Sequence, residues 1–215
     1  MKRPLNGTIR VVSDKSLTHR GLILGALAEG RTVLTRPNEG ADCQATRRAL
    51  EAVGAAITID GDRIVIDGGR ARLHEAETVL DLENSGTGIR LLAGVLAGLP
   101  FFSVLTGDAS LRGRPMERVV GPLRRLGATI ETRAGGRAPL AIRGVDEAAW
   151  LNTPASLRFD LPIASAQVKS ALLFSQLPRS AGRSRSASRV ARATTASGSC
   201  SISAPPCARW TEAST

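Results

Sequence analysis

The chain has 215 residues, 42% of them apolar, which is enough for a folded core and too apolar for a disordered protein. Its formal charge is +10, from 29 basic and 19 acidic residues, and only Lys2, Lys15 and Lys169 among the basic residues are lysines. Three scattered cysteines (Cys43, Cys200, Cys207) and two histidines (His19, His74) exclude a zinc ribbon, a disulfide scaffold, a histidine metal site and a Ser-His-Asp triad.

The N-terminal MKRPLNGTIR has charges but no apolar run behind them, so no signal peptide is expected, and no stretch is long enough for a membrane span. A reducing cytoplasm follows as the expected compartment. The spacing then predicts a helix over 17–29 closed by Gly30, a strand over 31–34, and a helix over 42–53 ended by Gly54. Strands follow over 56–59 and 63–66, joined at Asp60-Gly61. The same order recurs: a helix over 85–97, a strand over 101–106, a helix over 116–126 ended by Gly127, and strands over 129–131 and 140–143. Gly54 in EAVGAAITI and Gly127 in RRLGATIET stand at matching points. A third unit starts at Ser165 and stops partway.

The entrances to the three units also match. DKSLTHR (14–20), NSGTGIR (84–90) and IASAQVK (163–169) begin 70 and 79 residues apart. Each places hydroxyl or glycine residues at a helix start, followed by a cation. Free N–H groups and the helix dipole favour an anion there, by about 0.3–1 kcal/mol for one exposed end. Ser16 and Ser165 also read as simple N-caps with solvated cations beside them. Three ends in register, with Lys15, Arg20 and Lys169, point to a multiply charged ligand.

Composition changes near Ser175. Residues 176–215 hold six arginines, one acid (Glu212) and only three large aliphatics, Leu177, Val190 and Ile202. Such a segment buries too little apolar surface to offset its ordering entropy, so disorder is expected. A basic nucleic-acid tail is the other reading, but no aromatic residues interleave the charges.

DKSLTHR, LENSGTGIRLLAG, TGDASLRGRPMERV and ASAQVKSALL together resemble the blocks of the 3-phosphoshikimate 1-carboxyvinyltransferase (EPSP synthase) family, in order and spacing, over about residues 7–173. The resemblance implies an α/β fold of repeated βαβαββ units with helices inside and sheets outside. It implies transfer of the enolpyruvyl group of phosphoenolpyruvate to the 5-hydroxyl of shikimate 3-phosphate, without metal or organic cofactor. The expected partners are these two small molecules, with no nucleic acid, no membrane and a monomeric chain. Carried over residue by residue, Lys15 lies between the two substrates and is the catalytic candidate. Shikimate 3-phosphate falls to Lys15, Ser16, Arg20, Ser165, Ala166 and Gln167. Phosphoenolpyruvate falls to Lys15, Gly86, Arg114 and Gln167. Asn84 and Thr87 shape the turn, Asp42 and Cys43 lie in a family-like GADC stretch, and Cys43 reads as a packing residue.

Three departures stand out. Val12-Ser13 replaces the usual Pro-Gly before DKS, and a positive φ there would strain Ser13 and mis-aim Lys15. Family members are about twice as long, and their second domain supplies an acidic base, further cations and a lysine donor without counterparts here. Residues 1–12 then belong to a strand of that missing domain, 13–175 to the enolpyruvyl transferase domain, and 176–215 to an out-of-frame tail. Written with codons ending in G or C, Arg192–Ser201 reads RDHGERLVL from the third base of the first codon, which resembles the family's next block. A one-base frameshift near codon 174, and a truncated, inactive chain, are therefore expected. The rival readings are the sister enzyme acting on UDP-N-acetylglucosamine, which has Lys-Asn where Lys15-Ser16 stands and a cysteine in the loop before Arg-Pro, and a non-catalytic anion-binding fragment.

Overall fold

The computed structural model describes residues 13–145, 156–160, 165–177, 190–193 and 199–203. The first unit is α1 (Lys15–Leu27), β1 (Gly30–Thr35), α2 (Ala41–Ala52), β2 (Ala56–Asp60) and β3 (Arg63–Gly68). A 3-10 turn at Arg70–Arg72 leads to the second: β4 (Leu80–Asp81), α3 (Gly86–Ala97), β5 (Phe102–Thr106), α4 (Ala109–Gly113), α5 (Glu117–Arg125), β6 (Thr129–Arg133) and β7 (Arg137–Arg143). β8 (Ser156–Asp160), α6 (Ala166–Phe174), β9 (Val190–Ala193) and β10 (Ser199–Ser203) complete the described elements.

The two sheets repeat one another. The first has the order β1-β3-β2, all antiparallel. The second has β4-β5-β7-β6, in which β5-β7-β6 reproduces that order and β4 adds a parallel edge. Gly54 and Gly127, after α2 and α5, share φ = +97°. Only a residue without Cβ adopts that conformation freely, so the same turn is built twice. The third sheet, β8-β10-β9, repeats this order, with β10 pairing antiparallel to both of its neighbours.

The helices form the inside. α3 is buried on nearly all sides, as its uniformly apolar sequence GTGIRLLAGVLA dictates. Leu22 and Ile23 of α1, Leu50 of α2, Leu123 of α5 and Leu172 of α6 join it in one core. The strands cover this core on one face only, which is why β3 alternates exposed and buried residues.

Sequence and structure differ at four places. The helix starts at Lys15 rather than Leu17, because the Asp14 carboxylate caps the Leu17 N–H at 2.6 Å. The stretch DASLRG is a short helix, α4, capped by Asp108. Ser13 is absent from the positive-φ residues, which are Arg36 and Glu83 among the described non-glycines; its hydroxyl donates to the Arg36 carbonyl, so the lost Pro-Gly pair leaves α1 correctly started. Lastly, β9 and β10 lie within 176–215, where the composition predicts disorder. Their residues are held by ladder hydrogen bonds in one sheet with β8, which do not require an apolar composition. Residues 1–12, assigned to a strand of another domain, lie outside the described residues.

Candidate functional site

Three helix N-termini are capped by side chains in the same way. Asp14 accepts from the N–H of Leu17, Ser85 from Gly88 at 3.0 Å, and Ser165 from Val168 at 3.3 Å. Each cap satisfies one orphan donor and leaves others at the helix end. Ser165 is thus an N-cap, in keeping with the simpler reading of its sequence position. Ser16 is not, since Asp14 takes that place in α1.

Side chains tie the three ends together. Gln167 of α6 donates through Nε2 to Thr87 Oγ1 of α3 at 3.0 Å. Arg90 donates to the Gly86 carbonyl at 2.8 Å, to Gln167 Oε1 at 3.3 Å and to the Pro115 carbonyl at 3.4 Å. Arg20 of α1 reaches Ser170 of α6 at 3.1 Å and the Ser16 carbonyl at 3.0 Å. Lys15 pairs with Asp42, the acid at the start of α2, at 2.8 Å. The hydrogen bond and charge of Asp42 hold the Lys15 ammonium above the usual lysine range.

Arg114 lies over the start of α3. A Cβ on Gly86 would stand 2.6 Å from its Nη1. Asn84 does not cap α3; its Oδ1 instead accepts from Arg114 Nη2. The turn carrying Asn84 is strained, with Glu83 at φ = +50°. It is fixed from both sides: the Glu83 N–H donates to Asp81 at 2.8 Å, its carbonyl accepts from Asp108 N–H at 2.7 Å, and its carboxylate pairs with Arg48. A strained residue persists only where its surroundings over-determine it.

The fold therefore brings Lys15, Arg20, Gly86, Arg114, Ser165 and Gln167 to one end of the helix bundle. Ala166 is exposed on the first turn of α6, and Ser16 on that of α1. Lys169 sits one turn further along α6. Sequence reasoning missed the part of Arg90 and Asp42. Arg90 was visible only as a cation in NSGTGIR; its partners are 4, 25 and 77 residues away. Burial and the charges of Arg114 and Arg118 push its guanidinium below the usual arginine range. Three guanidinium groups thus crowd the start of α3. Clefts of about 260, 440 and 380 Å³ lie elsewhere, one between Pro37, Cys43 and Ile59, one around Arg31 and Asp67, one around Arg70 and Phe101.

A family model described as EPSP synthase (3-phosphoshikimate 1-carboxyvinyltransferase) matches residues 1–196. The chain belongs to the EPSP synthase family. It is 51% identical over 176 residues to the 3-phosphoshikimate 1-carboxyvinyltransferase of Thermus thermophilus, covering 81% of this chain and 40% of that protein. Against the Gluconobacter oxydans protein of the same description it is 50% identical over 174 residues, with 80% and 38% covered. The EPSP synthase structure of Acinetobacter baumannii superimposes with a TM-score of 0.76 and 34% identity, over 92% of this chain and 46% of that one. The chain thus spans about two fifths of the length of the curated EPSP synthases it matches.

Two buried groups beside the site have structural consequences. The Cys43 thiol is pushed up to about 11 by burial and by Asp42, so it is a packing residue rather than a nucleophile. His19 is fully buried, with Nδ1 2.9 Å from Thr46 Oγ1 and Nε2 without a partner among the described residues. Thr46 gives its own proton to the Asp42 carbonyl, which makes His19 Nδ1 the donor. A second proton on Nε2 would be buried and unmatched, and desolvation lowers the His19 pKa to about 4. The folded pKa lies below the unfolded one, so the folded state binds fewer protons. Stability is complete above pH 6.5 and falls as pH drops to about 4, by about 3 kcal/mol in all. Denaturant melts of the chain and of His19→Gln across this window measure the difference. Parallel curves would remove His19 as the cause.

Proposed function

We propose that this chain is the part of a 3-phosphoshikimate 1-carboxyvinyltransferase that captures shikimate 3-phosphate and receives the phosphate of phosphoenolpyruvate. The observation that carries this reading is the junction of three capped helix ends through Gln167, Thr87 and Arg90, with Arg114 and Arg90 over the bare backbone of Gly86 and Lys15 and Arg20 on α1 beside it. Both substrates are polyanions, and such a surface answers them with N–H groups, hydroxyls and cations.

In this assignment Lys15 bridges the two substrates. Ser16, Arg20, Ser165, Ala166 and Gln167 hold shikimate 3-phosphate, and Gly86, Arg114 and Gln167 hold phosphoenolpyruvate. Residues 13–175 are the binding domain, which β9 and β10 join through β8, and 1–12 a strand shared with a second domain. Arg20 presents a planar fork suited to a carboxylate. Gly86 places no Cβ over the first turn of α3, so a phosphate can approach the N–H groups there. The transfer protonates the enol carbon of phosphoenolpyruvate, adds the 5-hydroxyl and expels phosphate. Positioning and charge stabilisation are large parts of such a reaction. The residues assigned here bind and position the two substrates.

The sister reaction on UDP-N-acetylglucosamine is disfavoured because Ser16, not Asn, follows Lys15 and because α4 contains no cysteine. Thermal melts test the choice. Shikimate 3-phosphate should raise the melting temperature and UDP-N-acetylglucosamine should not, with no phosphate released when phosphoenolpyruvate is added. The reverse ranking, or phosphate release, would overturn the assignment.

A further inference from the structure

The buried imidazole of His19 has no part in the substrate assignment, and it is costly where it stands. It is 0% exposed, and its Nε2 has no partner among the described residues. A buried polar group left unpaired costs free energy, so an apolar side chain of similar size would pack there at lower cost. What the imidazole supplies instead is a directed bond, from Nδ1 to Thr46 Oγ1 at 2.9 Å.

That bond is one rung of a ladder. α1 and α2 pack against each other with their starts at the same end. Lys15 meets Asp42 at 2.8 Å, and four residues further along both helices His19 meets Thr46. Four residues on again stand Ile23 and Leu50, both fully buried in the core. Residues four apart share a helix face, so equal steps on both helices define one register. Thr46 is held in that register from three sides. It accepts from His19 of α1, donates to the Asp42 carbonyl of α2 at 3.2 Å, and abuts α3, where a Cβ on Gly88 would lie 2.5 Å from its Oγ1. The Cys43 thiol adds a 3.7 Å bond to the Lys15 carbonyl. The Lys15–Asp42 pair itself is exposed, and such a pair is too weak to hold two helices in register.

We propose that His19 is a positioning residue: its bond to Thr46 sets α2 against α1 so that Asp42 reaches Lys15 at the site. A buried polar pair suits this task, because a slipped register leaves its donor unmatched, whereas apolar contacts tolerate a slip. The functional sense of the proposal rests on Lys15 lying between the two substrates. The register does not, and its test uses no substrate, so failure of the substrate assignment leaves the test intact.

The test measures how fast trace acetic anhydride acetylates Lys15 in the folded full chain, by peptide mass spectrometry, with Lys2 and Lys169 read in the same sample. Only the unprotonated amine reacts, and Asp42 holds Lys15 protonated. Asp42→Asn should raise the Lys15 rate by about two- to fivefold, the scale of an exposed ion pair. His19→Leu should raise it as much while melting at or above the parent temperature, since it leaves no buried N–H unmatched. His19→Gln, whose amide still donates to Thr46, should keep the parent rate. The double variant, His19→Leu with Asp42→Asn, should be no faster than either single one. A parent rate in His19→Leu, an equal rise in His19→Gln, or additive rises in the double variant would overturn the proposal. So would a parent rate in Asp42→Asn, which leaves no pair to position. Thr46→Val removes the acceptor and is read in the same way if His19→Leu does not fold.

Discussion

Replacing Gly94 by valine is expected to lower the melting temperature by roughly 6–12 °C, which corresponds to about 3 kcal/mol for a chain of this size. α3 and α6 touch at this point, and a Cβ on Gly94 would lie 2.2 Å from the Ala171 carbonyl oxygen and 2.6 Å from its Cα. Those are backbone atoms, so no side-chain rotation relieves the overlap and the helices must separate. Separation carries Gln167 away from Thr87 and Arg90. The variant should therefore lose ligand response even at temperatures where it is folded. Circular dichroism melts with and without shikimate 3-phosphate measure both effects. Parent-like melting would mean that α6 is not seated on α3 as described.

Lys15→Ala should do the opposite, sparing stability and damaging binding. The Lys15–Asp42 pair is exposed, with 51% of the lysine side chain accessible, and such pairs contribute about 0–1 kcal/mol. A charge-assisted contact to a bound phosphate is worth about 1.5–3 kcal/mol, or roughly 10–100-fold in affinity. Lys15→Arg should not restore it. A planar fork set against Asp42 would make a bidentate pair with the carboxylate, whereas the compact ammonium can hold Asp42 and a ligand at once. Parent-like affinity in Lys15→Ala would remove Lys15 from the site.

The parts legible in the sequence were those encoded by short-range pattern. The apolar spacing of GIRLLAGVLA gave α3, and glycines after α2 and α5 gave the repeat. The candidate residues were read from three entrances that share a form. Its wiring was not. Nothing local in NSGTGIR says that Arg90 turns back to the Gly86 carbonyl and across to Gln167, 77 residues on. Nor does GADC say that Asp42 holds Lys15. The strands β9 and β10 were missed for a related reason. Their composition offers no core face, and their order comes from backbone pairing in one sheet with β8. Such pairing is set by neighbours distant in sequence.

The claim that three helix ends form one anion site is tested most directly by calorimetric titration of the chain with shikimate 3-phosphate at low and high salt. Contacts between exposed charges and a charged ligand are screened by water and salt. Weak binding at low salt is predicted, falling steeply as salt rises, and lost in Lys15→Ala. Absence of binding at low salt, or affinity indifferent to salt, would contradict the account.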